Sequence, residues 1–146
     1  MEESIGLLGK IQQEFSLEEK DLRTFPPLAL AYIGDCAFEL ICRTVLVEHY
    51  QVQPEILHKK ATAIVKAESQ AKLIEALLPL LTEEETSVYR RGRNTKNSRC
   101  PKNASVADYR KATGLEALMG FLYLRGENAR MVELVHKGLT LIGKEL

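Results

Sequence analysis

At 146 residues, 45% hydrophobic and 27% charged, the chain has the size and composition of one domain with a full core, which excludes a disordered polymer. Its net charge is zero, which taken alone argues against a nucleic-acid partner. The distribution argues otherwise: residues 87–111 hold eight bases and one acid, leaving 12 bases and 19 acids for the remainder. The first residues, MEESIGLLGKIQQEF, carry acids where a secretory leader has bases. An apolar run over 28–47 approaches membrane-spanning length, but Asp35, Glu39 and Arg43 interrupt it, so a transmembrane helix and a membrane partner are excluded. Cys36, Cys42 and Cys100 are odd in number and lack metal-ligand spacing. They read as buried or free thiols of a cytoplasmic protein.

The periodicity is helical throughout, with no convincing alternating strand. Ser16 and Glu19 have capping-box spacing and open a short helix that Pro26 and Pro27 stop. A long helix follows over about 28–49. Pro54 suits the first turn of the next, and the region to 81 divides into two helices with a break near Ala67. Thr82 and Glu85 form a second capping box, opening a helix that frays near Gly92. Residues 94–104, NTKNSRCPKNA, are a polar loop. Ser105 caps a helix reaching about Leu124, and a last helix starts at Glu127 or Asn128. The expected product is a single all-α domain, 1–146, of six to eight helices.

Two stretches place a lone acid in an apolar helix. In LALAYIGDCAFELI, Asp35 directly follows Gly34. On a helix, Asp35, Glu39 and Arg43 share one stripe, and a Glu39–Arg43 ion pair beside a solvated Asp35 accounts for all three. Gly34 needs its own reason, because glycine inside a helix costs about 1 kcal/mol relative to alanine. Close approach of another backbone supplies one. ATGLEALMGF repeats the pattern: Glu116 is the lone acid, and Gly114, Ala117 and Gly120 leave a shallow surface. If the helices cross near Gly34 and Gly114, Asp35 and Glu116 converge. Converging carboxylates repel unless a cation joins them, and a hard divalent ion is the natural partner. The alternative for Glu116 is a solvated face or a basic neighbour.

At these residues the chain resembles a family. LALAYIGDCAFEL resembles the ribonuclease III signature helix, where Leu-Gly-Asp-Ala follows an aromatic residue. ATGLEALMGFLYL resembles the second acidic helix of that family, Asp-x-x-Glu-Ala-Leu-Ile-Gly. RRGRN with PKNA, then YRKATGLEAL, and LHKKATAIVKAESQA resemble the small bacterial Mini-ribonuclease III subfamily. The match spans roughly 26–125 in the expected order. In full-length ribonuclease III the first helix carries further glutamates where this chain has Leu28 and Ala31, and the second motif has an aspartate where Thr113 stands. No double-stranded-RNA-binding domain follows within the sequence. These departures are the ones the Mini subfamily shows.

The resemblance implies the ribonuclease III helical fold and metal-dependent endonucleolytic cleavage of double-stranded RNA, giving 5′-phosphate and 3′-hydroxyl ends. Asp35 and Glu116 are the expected catalytic residues and ligands of Mg²⁺, with Mn²⁺ as a substitute. Arg90, Arg91, Arg93, Lys96 and Lys102 are expected to grip phosphates, with Asn94 and Asn103 as donors and Tyr109 and Arg110 assisting. A-form duplex offers phosphates and 2′-hydroxyls more readily than base identity, so a basic segment suits it. His58, beside Lys59 and Lys60, is a phosphate contact or an ordinary surface residue. Thr113 orders a water or hydrogen-bonds the site. The family also implies a homodimer with signature helices near its interface, where Phe38 and Ile41 are either interface or core. The subfamily implies maturation of 23S ribosomal RNA precursor in the cytoplasm, with a large-subunit ribosomal protein as a further partner. Two other classes compete: a non-catalytic RNA-binding relative associated with the ribosome, and a helical interaction protein with a basic docking patch.

Overall fold

The computed structural model describes residues 6–96, 100–102 and 105–146. Among the described residues there are seven α-helices, two single 3₁₀ turns and no strand. The first helix, α1 (Leu7–Glu14), differs from expectation. No helix opens at Ser16. That residue instead takes a left-handed φ of 52° just after α1, and residues 17–21 are irregular. The Ser16–Glu19 spacing misled because the apolar rhythm of Leu7, Leu8, Ile11 and Phe15 lies upstream, and a left-handed residue ends a helix rather than starting one. Asp21 then caps the 3₁₀ turn Leu22–Thr24, accepting a hydrogen bond from the Arg23 backbone N–H at 3.0 Å.

Pro26 is extended and Pro27 occupies the first turn of α2 (Pro27–His49), where its missing N–H costs nothing. Helices α3 (Pro54–Val65) and α4 (Ala67–Leu77) are divided by Lys66, whose ψ of 154° breaks the helical path. After the 3₁₀ turn Leu78–Leu80, the expected capping box opens α5 (Glu83–Asn94): Thr82 Oγ1 accepts from Glu85 N at 3.1 Å, and Glu85 Oε1 accepts from Thr82 N at 2.9 Å. Ser105 Oγ accepts from Asp108 N at 3.1 Å and starts α6 (Val106–Leu124). Helix α7 (Asn128–Leu141) follows Gly126, which turns the chain with φ of 76°.

Helix α6 is the hub. It packs on α2, α5, α4 and α7, and its buried residues surround the helix axis instead of forming one stripe. That is the pattern of a core helix covered from all sides. Phe38 and Cys42 of α2 join Leu115, Leu118 and Met119 in this core. Phe38 is therefore core, whereas Ile41 is half-buried in a groove between α2 and α7. Arg130 ties α7 to α5 with two hydrogen bonds to the Glu85 carboxylate, both 2.8 Å. The Arg130 guanidinium holds that buried carboxyl below its ordinary range.

The α2–α6 crossing is built from two glycines. A Cβ on Gly34 would overlap the Glu116 carbonyl oxygen and stand 2.6 Å from Gly120 N. A Cβ on Gly120 would overlap the Leu30 carbonyl oxygen in return. Gly34→Ala therefore has no flexible neighbour to displace. It is expected to cost about 3 kcal/mol, the upper end of ordinary overpacking. For a chain of this size that lowers Tm by roughly 6–12 °C, readable by calorimetry. A Tm unchanged within 2 °C would mean that the helices do not meet backbone to backbone.

Candidate active site

The crossing brings the two expected carboxylates together. Gly34 lies against Glu116, so Asp35, the next residue on α2, stands opposite the Glu116 side chain. The contact differs in one respect from expectation. Gly34 meets α6 at Glu116 and Gly120, not at Gly114. Gly114 receives Tyr89 of α5, and Gly92 of α5 packs on Gly114 and Ala117. The three glycine-like positions of α6 thus serve two different neighbours, and spacing alone does not say which serves which.

Asp35 is exposed while Glu116 is half-buried beside it. Burial pushes the Glu116 carboxyl up to about 8. The facing Asp35 adds its charge and a hydrogen bond in the same direction, while the Gln70 amide opposes them. Folded protein without metal therefore holds a proton that an ordinary glutamate, near 4.5, has lost. Between about 4.5 and 8 the folded chain binds more protons than the unfolded one, so stability falls as pH rises through that window. The slope is at most about 1.4 kcal/mol per pH unit. Chelator-treated protein is expected to lose Tm across this window, and Glu116→Gln to flatten the loss. Identical profiles for both proteins would place the buried proton elsewhere.

The two acids open onto a cleft of about 820 Å³ whose walls include Leu28, Ala31, Tyr32, Lys96, Tyr109 and Thr113. Leu28 and Ala31 thus face the same space as the acids. The Thr113 hydroxyl donates to Tyr109 O at 3.0 Å within its own helix. Tyr32 is 84% exposed on the cleft wall, an aromatic that spacing alone did not single out. The Glu39–Arg43 ion pair expected as the bland explanation is present at 2.7 Å, but it does not engage Asp35.

The basic residues divide. Lys96 borders the acids' cleft. Arg90, Arg91 and Asn94 line a neighbouring hollow on α5, where Arg91 also donates to Phe25 O at 3.4 Å. Arg93 lies over the Tyr89 ring at 5.5 Å and bonds Asn94, so it is partly committed to the fold. Lys111 is engaged by Glu75 of α4 at 2.6 Å. Lys102 and Arg110 are exposed. Asn103 lies outside the described residues. His58 is exposed in a separate hollow between α2 and α3, with Arg43 and Leu57, away from the acids' cleft.

Sequence reasoning missed Gln70 of α4. It is 2% exposed, and its Nε2 donates to Val65 O at 2.8 Å and to Glu116 Oε2 at 3.4 Å. A signal was present: Gln70 shares a helical stripe with Leu73, Ile74 and Leu77, the same kind of polar intrusion that marked Asp35.

Comparison with known proteins bears on the whole of this arrangement. The Ribonuclease III domain model matches residues 28–127, which include both acids and the crossing between them. The chain belongs to the ribonuclease III family. Among its relatives in that family, the Mini-ribonuclease 3 of Enterococcus faecalis is 43% identical over 127 residues, covering 86% of this chain and 96% of the relative. The Mini-ribonuclease 3 of a Thermoanaerobacter species is 38% identical over 137 residues, covering 94% and 96%. A crystal structure of a Fusobacterium nucleatum protein superposes with a TM-score of 0.75 at 28% identity, covering 84% of this chain and 98% of that one. The all-helical fold is thus that of the ribonuclease III family, and the chain is an endoribonuclease of the Mini-ribonuclease 3 type.

Proposed function

We propose that this ribonuclease III chain hydrolyses phosphodiester bonds of double-stranded RNA with a divalent metal ion held by Asp35 and Glu116. The observation that carries the reading is the convergence of these two carboxylates, set by the Gly34–Gly120 crossing at the edge of an open cleft. The donor set fits a hard cation: two carboxylates that repel when both are ionised, on one side of a solvent-filled space. Among the described residues no group of three or more His, Cys, Asp or Glu side chains is placed to hold a metal ion, so water and substrate oxygens would complete the shell. Mg²⁺ accepts such a shell, and Mn²⁺ with similar ligand preferences substitutes for it.

When bound, the metal supplies polarisation of the phosphate and a hydroxide at neutral pH. The remaining work falls to the protein. Asp35, exposed at the cleft, and Glu116, half-buried beside it, would hold the ion between them. Lys96 offers a positive charge to the incoming backbone at the cleft. Arg90, Arg91, Asn94, Lys102 and Arg110 extend that field along the duplex. Arg93 contributes mainly by stacking on Tyr89, and His58 has no role here. Attack at phosphorus with departure of the 3′ oxygen leaves a 3′-hydroxyl and a 5′-phosphate.

A homodimer suits a duplex with two antiparallel backbones. Tyr32, Cys36, Leu40 and Val47 are exposed along α2 and form an apolar band beside Asp35, which favours that helix as the interface. The cytoplasmic 23S ribosomal RNA precursor is the substrate that the subfamily suggests, with a large-subunit ribosomal protein assisting. The deciding experiment is incubation with long duplex RNA and with 23S precursor, each with and without Mg²⁺, followed by end mapping. Metal-dependent cleavage with 5′-phosphate ends is the expected result. Binding without cleavage would turn the reading to a non-catalytic RNA-binding protein.

A further inference from the structure

Gln70 belongs to neither acidic helix, yet its amide reaches Glu116 from α4. Its Nε2 is fixed in direction by the Val65 carbonyl at 2.8 Å. Turning the amide over would set oxygen against oxygen there, so the N–H end is the one that faces Glu116 Oε2 at 3.4 Å. The other end, Oε1, is the one buried side-chain polar atom without a hydrogen-bond partner among the described residues. A buried acceptor left unmet is costly, and native structures keep few of them without a functional reason. The position otherwise suits leucine or methionine, since Leu73, Ile74 and Leu77 continue its stripe.

We infer that Gln70 is a positioning residue of the metal site: its N–H aligns the Glu116 carboxylate toward the ion, and its Oε1 accepts a hydrogen bond from a water of the coordination shell. This rests on the reading of Glu116 as a metal ligand. Carboxylate ligands are commonly held by such outer partners, and their loss lowers metal affinity or activity by about 10- to 100-fold. The break at Lys66 has a consequence in this arrangement. It ends α3 at Val65 and leaves the Val65 carbonyl to orient the amide.

The test is a double-mutant cycle on the RNA-free protein, with Mn²⁺ affinity followed by the electron-paramagnetic-resonance signal of free Mn²⁺. Gln70→Met keeps the length and removes both hydrogen-bonding ends. It is expected to weaken Mn²⁺ binding 10-fold or more. In a Glu116→Gln background the same change is expected to have less than a twofold further effect, because both contacts of Gln70 serve an ion that Glu116 anchors. Duplex RNA affinity in Ca²⁺ is expected to stay within twofold, so the loss falls on metal binding and turnover rather than on substrate binding. If Gln70 is only a brace for the end of α3, Gln70→Met will lower Tm to the same extent in both backgrounds and leave Mn²⁺ affinity unchanged, which overturns the inference. If Glu116→Gln itself leaves Mn²⁺ affinity unchanged, the ligand assignment fails instead. The two failures are therefore separable. Gln70→Leu, which fits the same apolar stripe, repeats the cycle where the methionine variant is poorly folded.

Discussion

Asp35→Asn is expected to lower cleavage of duplex RNA by about 10³-fold, on the basis that a catalytic metal supplies several kcal/mol and each 1.4 kcal/mol is tenfold in rate. The substitution keeps the shape of the side chain and replaces a charged ligand oxygen with a weak one. It touches little else, because Asp35 is exposed and its neighbour Glu39 is paired with Arg43. It also removes the charge facing Glu116, so the Tm of metal-free protein holds or rises above about pH 8, where both carboxyls are ionised. Duplex binding in Ca²⁺ should persist, since the basic residues are untouched. The rise in Tm that Mg²⁺ confers on the parent protein should disappear. Single-turnover rates with saturating protein, alongside thermal scans with and without Mg²⁺, check every part of this. A variant that retains cleavage within tenfold would remove Asp35 from the chemistry.

Duplex affinity is expected to fall by about 10³-fold between 50 and 200 mM salt, if six bases neutralise phosphates and release their counterions. Arg90, Arg91, Lys96, Lys102, Arg110 and, in part, Arg93 are the candidates. Lys111 is excluded by its pairing with Glu75. The effect should be electrostatic and distributed. Replacing Lys96 with glutamine should reduce the salt slope by about one unit. His58→Ala should leave the slope as it is, because that side chain sits in another hollow. Filter binding over a salt series in Ca²⁺ separates affinity from cleavage. A flat series would mean that the +7 segment serves another purpose.

Much of this arrangement was legible in the sequence, for local reasons. Capping chemistry set the starts of α5 and α6, and Pro54 marked the start of α3, because these signals need only a few consecutive residues; Pro27, read as the stop of an earlier helix, in fact opens α2. Asp35 and Glu116 were legible because a charge in an apolar helix demands a partner. What failed depended on packing. Gly114 and Gly120 are equivalent in sequence, yet one faces Tyr89 and the other faces Leu30. The place of His58, in a hollow with Arg43 and Leu57 apart from the acids, likewise depends on how α3 packs. Helix α1 was missed because the Ser16–Glu19 spacing mimicked a start, and a left-handed Ser16 has no strong signature. Gln70 was overlooked because a neutral amide in an apolar stripe raises less suspicion than a carboxylate.

The crossing at Gly34 and Gly120 has an engineering consequence. Main chain rests on main chain there, so the spacing between the two acids is set by atoms that every amino acid shares. Side chains deeper in the fold, such as Leu134 or Leu73, can be exchanged for others of similar volume without changing that spacing. Heat resistance and turnover are therefore separable properties in this molecule. A thermostable version can be sought where α4 packs on α7, while the two glycines and Gln70 stay fixed.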